Sequence, residues 1–475
     1  MKYQKNKTKI VATIGPASSS REILKEMMGA GMNVCRVNFS HGSYDDHQKV
    51  IDTVRELNQE LRMHTAILAD LQGPKLRVGE VEPDQILVEG NKIIFTTNEC
   101  IGTADKVFMT YQEFPKDVAK GDRILLDDGK LVLEALSSNG KDEVVAKVIQ
   151  GGPLKSKKGV NLPNTKISLP CLTEKDKADL DFALKNKIPW IGLSFVRGAN
   201  DIKELKTIIN KRQSNSKIVA KIEKPEAVSD INNIIAETDA IMVARGDLGV
   251  EVPMEHVPMI QKMVVEKSRL ASKPCIIATQ MMESMIDSMT PTRAEVNDVA
   301  NAVTDGADAV MLSGETSVGK YPVEVIKAMC KIVINAENYG GIYNKETLPT
   351  VNNDRFITDS VCFNSCQLAK QVDAKAIVTM TFSGYTAFKI SSNRPKAGVF
   401  VFTSNHKILN MLSLIWGVKG FYYDKFVSTD HTIEDIKFLL KKGGYLKEGD
   451  RIINIASMPI TEKGKSNMLR LSEVG

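Results

Sequence analysis

The stretch KIEK, residues 221–224, sets a lysine and a carboxylate two positions apart. In a strand that spacing puts Lys221 and Glu223 on one face and Ile222 on the other. A carboxylate beside a lysine, joined by Asp247 from ARGD, suits a divalent cation held by few protein ligands together with substrate oxygens, the usual arrangement for Mg²⁺. A structural ion-pair network is the other reading of the same three residues. Polar residues also gather wherever an apolar run ends: Arg36, Asn38, Ser40 and His41 in RVNFSHG, Asp70 in AILAD, Ser194 and Arg197 in LSFVRG, Arg245 beside Asp247, Thr279 and Gln280 in ATQMMES, and Ser313 and Glu315 in MLSGET. Arg36, Arg77, Lys158 and Lys221 bring positive charge from separate segments, as phosphoryl transfer requires, because its catalysis consists mostly of positioning and neutralising anionic oxygens. Any one of them alone reads as a solvated surface cation.

The elements that must carry these groups follow a rhythm. The pattern predicts strands over 9–15, 32–39 and 64–70 with helices over 20–30 and 45–61 between them. Alternating strand and helix implies a parallel sheet. At Gly73 the rhythm stops, and 74–168 reads as short Val/Ile/Thr-rich runs broken by Gly, Asp and Asn, an all-β insertion. Alternation resumes at Thr173, with apolar strand candidates at 188–194, 217–222, 240–244, 274–279 and 309–313. Three strands before the insertion and five after it make the number that closes a (β/α)₈ (TIM) barrel, in which functional groups stand at the C-terminal strand ends. A long helix over 323–337 and an Asn/Pro/Thr-rich linker over 344–353 follow, and strands near 376, 398, 420 and 451 separated by helices read as a further α/β domain. The expected division is 1–71 with 170–342 for the barrel, 72–169 for the inserted β domain and 354–475 for the C-terminal α/β domain.

Bulk composition narrows the partners. The 475 residues suggest about three domains. With 43% hydrophobic and 25% charged residues the chain is globular. A net charge of +5 is too small for a large basic field, so a small anionic ligand fits better than nucleic acid. Seven cysteines without a CxxC pair form neither a disulfide framework nor a zinc site, and Cys362 and Cys366 read as plain buried thiols. The start, MKYQKNKTKIVATIGP, is positively charged but has too short an apolar stretch for a signal or a membrane span, so the expected place is the cytoplasm.

Two stretches invite a phosphate reading. GETSVGKYP, 314–322, nearly matches a P-loop, but Tyr321 stands where the magnesium-binding hydroxyl belongs, Pro322 follows, and the context is barrel strand eight. In TFSGYTA, Thr381, Ser383, Gly384 and Thr386 fall at a strand-to-helix turn, where hydroxyls and N–H groups form an anion site. An ordinary capped helix is the equal alternative there.

In order along the chain, ATIGPAS, RVNFSHG, QGPKLRVG, SKKGVNLP, LSFVR, KIEKPEA, MVARGDLGVE, CIIATQMMESM, PTRAEVNDVANAV and DGADAVMLSGETSVGKYP resemble the pyruvate kinase family. The resemblance covers the barrel and the borders of the insertion, and more weakly the last domain. It implies transfer of the phosphoryl group of phosphoenolpyruvate to ADP, giving pyruvate and ATP through enolpyruvate. It implies Mg²⁺ on Glu223 and Asp247, leaving open whether Mn²⁺ substitutes, and Lys221 stabilising the phosphoryl group in flight. N–H groups around Gly246 and Asp247 with the Thr279 hydroxyl would fix the substrate carboxylate, and Thr279 belongs to the region that protonates the enolate. Arg36 would grip the transferring phosphate, while Asn38, His41, Arg77 and Lys158 would face the nucleotide phosphates. It further implies a lid-like inserted domain, a homotetramer, and a phosphorylated sugar or nucleotide effector on the Thr381–Thr386 loop. The downstream NIASMPITEKGKSNMLR lacks the Trp-Arg features used for fructose 1,6-bisphosphate.

One departure stands out. Where most familiar members read DTKGPEIRTG and bind K⁺ through residues matching Asn38, Ser40, Asp70 and the carbonyl of Leu71, this chain reads DLQGPKLRVG. A second branch with Leu, Gln, Lys and an aliphatic residue at these positions does not need K⁺. The tethered ammonium of Lys75 can supply the same single charge near the ion's place, so the expectation is K⁺ independence. Two rival classes remain at this stage. A Mg²⁺-dependent barrel that makes or breaks carbon–carbon bonds via an enolate would share the carboxylates but would not need the lid or Arg77 and Lys158. A non-catalytic metabolite-binding protein would not need the complete set of catalytic groups.

Overall fold

The computed structural model describes residues 6–163, 165–351, 354–425, 428–458 and 466–475. Parts of three sequence readings, the leader at 1–5, the linker at 352–353 and the NIASMPITEKGKSNMLR segment at 459–465, lie outside the described residues.

Eight parallel strands close on themselves: β1 Lys9–Thr13, β2 Val34–Asn38, β3 Ala66–Asp70, β4 Trp190–Leu193, β5 Lys217–Ile222, β6 Ala240–Ala244, β7 Cys275–Ala278 and β8 Ala309–Leu312. Closure comes from β1, which pairs with β2 on one side and β8 on the other. The strands are continuous Val/Ile/Ala-rich runs because helices cover one face and the barrel interior fills the other. Two, Lys217–Ile222 and Ala240–Ala244, match their predicted spans, and the other six are shorter by one to three residues, most of them at the C-terminal end where polar rim residues leave the ladder. The register places Asn38 opposite Asp70 and Gly192 opposite Asp70, so groups from three strands meet at one height.

Between β3 and β4 the chain forms a separate β unit with its own core around Phe95, Phe114, Ile124 and Leu133. Its main sheet has six strands, and Ile86–Leu87 pairs with Gly152–Pro153 in a small ribbon. A single helical turn, Phe114–Asp117, with Pro115 at its start, is an addition to the all-β expectation. Where this unit rejoins the barrel, Asn161 Nδ2 and Lys224 Nζ both donate to Glu251 Oε1 at 2.8 Å, and Arg197 holds the Leu169 carbonyl at 2.8 Å.

The C-terminal unit is a five-stranded sheet whose first four strands in chain order, Ala376–Met380, Gly398–Thr403, Val418–Tyr422 and Arg451–Ala456, are parallel. The last, Met468–Glu473, is antiparallel and was not anticipated. It is an edge strand with mostly half-buried or exposed residues, so it shows no apolar run. This unit sits under the N-terminal end of the barrel. Barrel residues Leu68, Trp190, Met242 and Ile276 share one apolar cluster with Ile377, Met411 and Leu412, and Trp190 Nε1 donates to the Met411 carbonyl at 3.3 Å.

Candidate active site

At the C-terminal mouth of the barrel the strand-end residues do converge. Lys221 Nζ lies 2.7 Å from Ser194 Oγ, 2.9 Å from Glu223 Oε1 and 3.3 Å from Asp70 Oδ1. Arg36 reaches Asp70 Oδ2 through Nε at 2.7 Å and Nη2 at 2.6 Å, and its Nη1 donates to Thr13 Oγ1 at 2.8 Å. Thr13 in turn donates to the Leu312 carbonyl at 2.8 Å. Two cations and two carboxylates from β2, β3 and the β5 end are thus packed together, the side chains of Asp70 and Glu223 only 1% exposed.

Burial and charge compete at each group. Burial pushes Asp70 up, but Lys221 and Arg36 outweigh it and hold its carboxyl below the ordinary value. Burial alone would lower Lys221, yet Asp70 and Glu223 raise it above the usual lysine range, so it is a fixed ammonium. Glu223 goes the other way: burial raises it, the Lys221 charge opposes this, and nearby Asp247 adds to the rise. Two close carboxylates destabilising one another's charge form a site for a cation.

The donor atoms are of the kind a hard divalent ion takes. Glu223 Oε2 accepts from the Phe195 N–H at 2.7 Å, while Oε1 is buried without a directed hydrogen bond, as is Asp70 Oδ1. Among the described residues nothing pairs with the Asp247 carboxylate. A hard divalent ion takes such oxygens. Asp247 rides on the helix Arg245–Glu251 that follows β6 directly. Beside it the Gly246 N–H donates to Thr279 Oγ1 at 2.7 Å, and that hydroxyl donates to the Ala278 carbonyl at 2.5 Å.

The remaining predicted residues surround this cluster without all joining it. Asn38 Oδ1 accepts from the Ser40 N–H at 3.1 Å, and the Leu71 carbonyl accepts from Ser194 Oγ at 2.7 Å. Lys75 forms no ion pair with Asp70, whose charge is already met by Arg36 and Lys221. It instead lines a small cleft between the β unit and the barrel with Asp247 and Glu251. Arg77 Nη1 donates to the Lys157 carbonyl at 2.9 Å, and Lys158 pairs with Asp127 at 2.8 Å, so both cations are held by the β unit itself. The Arg77 charge nonetheless reaches across the cleft: His41 is lowered by burial and then by Arg77, Lys75 and Arg36.

Sequence reasoning missed two supports, Thr13 behind Arg36 and Asp298 behind Arg245, whose guanidinium forks onto Asp298 at 2.7 and 2.7 Å. Neither could be found without the fold, because each partner lies far away in sequence. Glu315 turns inward to accept from the N–H groups of Met282 and Ser313. In GETSVGKYP, Gly314–Ser317 forms a helical turn and Lys320 pairs with exposed Asp287 at 2.8 Å, leaving no phosphate cradle. A cavity of ≈ 790 Å³ lies beside the return arm of the β unit and is lined by none of the Lys221 cluster. Charge convergence, not cavity size, locates the chemistry.

At the far end, Thr381 Oγ1 accepts from the Gly384 N–H at 3.1 Å, and Ser383 Oγ from the Tyr385 N–H at 3.5 Å. Gly384, at φ 85°, precedes the helix Tyr385–Ser392. Thr386 is buried, bonded to Thr379 Oγ1 at 3.0 Å.

Comparison with known proteins agrees with this geometry. Residues 5–326 match the family model "Pyruvate kinase, barrel domain" and residues 359–472 match "Pyruvate kinase, alpha/beta domain". The chain is 42% identical over 472 residues to the pyruvate kinase of Geobacillus stearothermophilus, covering 98% of this chain and 80% of that one. It is also 42% identical over 471 residues to that of Corynebacterium efficiens, covering 99% and 98%. The crystal structure of a pyruvate kinase from Cryptosporidium parvum superposes with a TM-score of 0.92 at 34% identity, covering 99% of this chain and 96% of that one. With both family models in chain order, full-length relatives and the same rim of charge, the chain belongs to the pyruvate kinase family.

Proposed function

We propose that the protein transfers the phosphoryl group of phosphoenolpyruvate to ADP, yielding pyruvate and ATP, with Mg²⁺ on Glu223 and Asp247. The observation that carries this reading is the Lys221 ammonium, fixed between Asp70, Glu223 and Ser194 in a site where, among the described residues, it is the sole partner of the buried Asp70 Oδ1 and Glu223 Oε1. The ion, when bound, polarises anionic substrate oxygens and neutralises charge. Arg36 and Lys221 hold the phosphoryl group in line, and neither needs to change protonation to do so. The Gly246 N–H and the Thr279 hydroxyl, paired with each other in the free site, turn to the substrate carboxylate, and Thr279 stands by the enolate for protonation. Asn38, His41, Arg77 and Lys158 face the nucleotide phosphates once the β unit closes as a lid over the mouth. Mn²⁺, also an oxygen-seeking cation, is a second occupant of the metal site.

K⁺ independence belongs to the same proposal. Arg36 and Lys221 neutralise Asp70, the Leu71 carbonyl is satisfied by Ser194, and Lys75 adds a nearby charge without an ion pair, which together disfavour another monovalent cation there. A homotetramer, a phosphorylated sugar or nucleotide effector on Thr381, Ser383, Gly384 and Thr386, and a cytoplasmic location complete the reading. The location is supported by cysteines that are all free. No helix among the described residues is long and apolar enough to cross a membrane.

The test is pyruvate formation from phosphoenolpyruvate and ADP with Mg²⁺, in K⁺ or in a bulky non-substituting cation at constant ionic strength. Equal rapid rates support both parts of the proposal. Activity in K⁺ alone keeps the phosphotransfer and overturns the cation argument, and inactivity in both overturns the whole. Lys75→Glu is expected to create a K⁺ requirement.

A further inference from the structure

Thr279 and Gln280 occupy the left-handed region in succession, at φ 71° and 52°. For a β-branched residue this is an outlier, and such backbone persists only where its surroundings hold it. What holds it is Arg245. Nη2 donates to the Thr279 carbonyl at 2.8 Å and lies 2.9 Å from Met281 Sδ, while Nε reaches the Ala278 carbonyl at 3.4 Å. The fork on Asp298, carried by the helix Arg293–Asp305, fixes the guanidinium from behind.

Arg245 is also the first residue of the helix whose next two residues are Gly246 and Asp247. The same guanidinium therefore ties the turn bearing the Thr279 hydroxyl to the helix bearing the Gly246 N–H, the two groups that bond at 2.7 Å. We infer that Arg245, braced by Asp298, is a positioning residue that holds Thr279 in its strained conformation and so sets its hydroxyl for the reacting carboxylate and enolate. The inference rests on the role given to Thr279 in the proposed reaction. A planar fork with several donors is what this task requires, and a lysine, a point charge with a different reach, cannot replace it.

The experiment compares Arg245→Met, Arg245→Lys and the near-isosteric Asp298→Asn in the full-length protein, reading kcat, the KM for ADP and backbone amide hydrogen exchange over 278–282. Arg245→Met is expected to lower kcat about 100-fold, the effect of a small misplacement at a reacting centre. The KM for ADP should stay within about twofold and amide exchange of the turn should quicken at least about tenfold. Arg245→Lys should recover at most about a tenth of the activity, and Asp298→Asn should lie between it and the wild type. Adding Thr279→Ala to Arg245→Met should cost less than about twofold more, because both act through one hydroxyl. A full multiplicative loss, a KM for ADP that rises in step with the fall in kcat, or an unchanged kcat overturns the inference. Should the wild type show no phosphotransfer, it is the proposed reaction that fails. Amide exchange then decides the clamp itself, faster exchange supporting it and unchanged exchange refuting it.

Discussion

The two ends of the barrel bury comparable amounts of charge and treat it differently. At the N-terminal end Arg394 forks onto Asp308 at 3.0 and 3.0 Å, adds the Gly306 carbonyl at 2.7 Å and lies over the Trp416 ring at 4.9 Å. Beside it the Lys7 ammonium donates to the carbonyls of Pro395, Lys396 and Ala397 at 2.7–2.8 Å, and Glu337 accepts from the N–H groups of Lys7 and Thr8. At the C-terminal end Asp70 Oδ1 and Glu223 Oε1 lack directed bonds, and Asp247 is unpaired among the described residues. At the N-terminal end every charged group meets an opposite charge, carbonyls or N–H groups, with Arg394 Nε left over, and joins two units together, whereas at the mouth Lys221 is, among the described residues, the sole partner of Asp70 Oδ1 and Glu223 Oε1 and the Asp247 carboxylate is open to a ligand. This is the barrel's usual division between a stabilising face and a catalytic one, read here from bond completeness.

Substitutions at the two ends should therefore separate activity from stability. Lys221→Met is expected to cut kcat by about 10²–10³-fold, the order seen when one preorganised transition-state donor is removed. Arg394→Met is expected to cost about 3–5 kcal/mol of stability, because it leaves Asp308 buried and unpaired. At a temperature where it is fully folded, its kcat should remain within about twofold of the wild type. Denaturant unfolding and saturating-substrate assays on both variants check the pair. A large loss of kcat in folded Arg394→Met would break the contrast.

These two ends were unequally legible in the sequence. The mouth could be read because apolar runs end in polar residues, and the two-residue spacing of Lys221 and Glu223 survives as a 2.9 Å contact. The barrel was readable for a related reason: strands buried on both faces announce themselves as eight short apolar runs. The N-terminal end was not. Lys7 stood in a positively charged start with no partner implied, and only the fold brings it to residues 395–397. The edge strand Met468–Glu473 escaped notice because its partly exposed residues carry no apolar run. Lys75 was expected beside Asp70, but its ion-pair geometry depends on which cations already occupy that carboxylate, and spacing carries no such information.

A smaller effect sharpens the comparison through pH. Burial pulls Lys7 down to about 7 and Lys9 to about 8, with Glu337 opposing the shift at both. A lysine whose folded value lies below its unfolded one binds fewer protons when folded across the interval between them, so stability rises with pH there. For Lys7 the interval runs from about 7 up to the ordinary lysine value. Lys7→Met removes this contribution, and the stability of the wild type relative to the variant should climb with pH by at most about 1.4 kcal/mol per unit. The carbonyl cradle favours the ammonium and works against burial, so a flat difference would mean that the cradle prevails and Lys7 stays charged. Unfolding free energies of both proteins at pH 7 to 9 decide the matter.

The finest test removes buried hydrogen bonds at the two ends. Thr13→Val at the mouth removes the acceptor of Arg36 Nη1 and the donor to the Leu312 carbonyl. Trp190→Phe at the opposite end removes the 3.3 Å bond to the Met411 carbonyl. Thr13→Val is expected to cost about 1–3 kcal/mol of stability, since one of its two bonds is charge-assisted, and Trp190→Phe at least about 1 kcal/mol, since packing is lost with the bond. Only Thr13→Val should also lower kcat, by several-fold, since Arg36 loses a brace while keeping its hold on Asp70. Measured at a temperature where both variants are fully folded, a difference in kcat cannot be blamed on general loosening and must come from where the lost bonds stood. If both variants slow the reaction equally, the N-terminal end is coupled to the chemistry, and the division between a stabilising and a reacting end has to be given up.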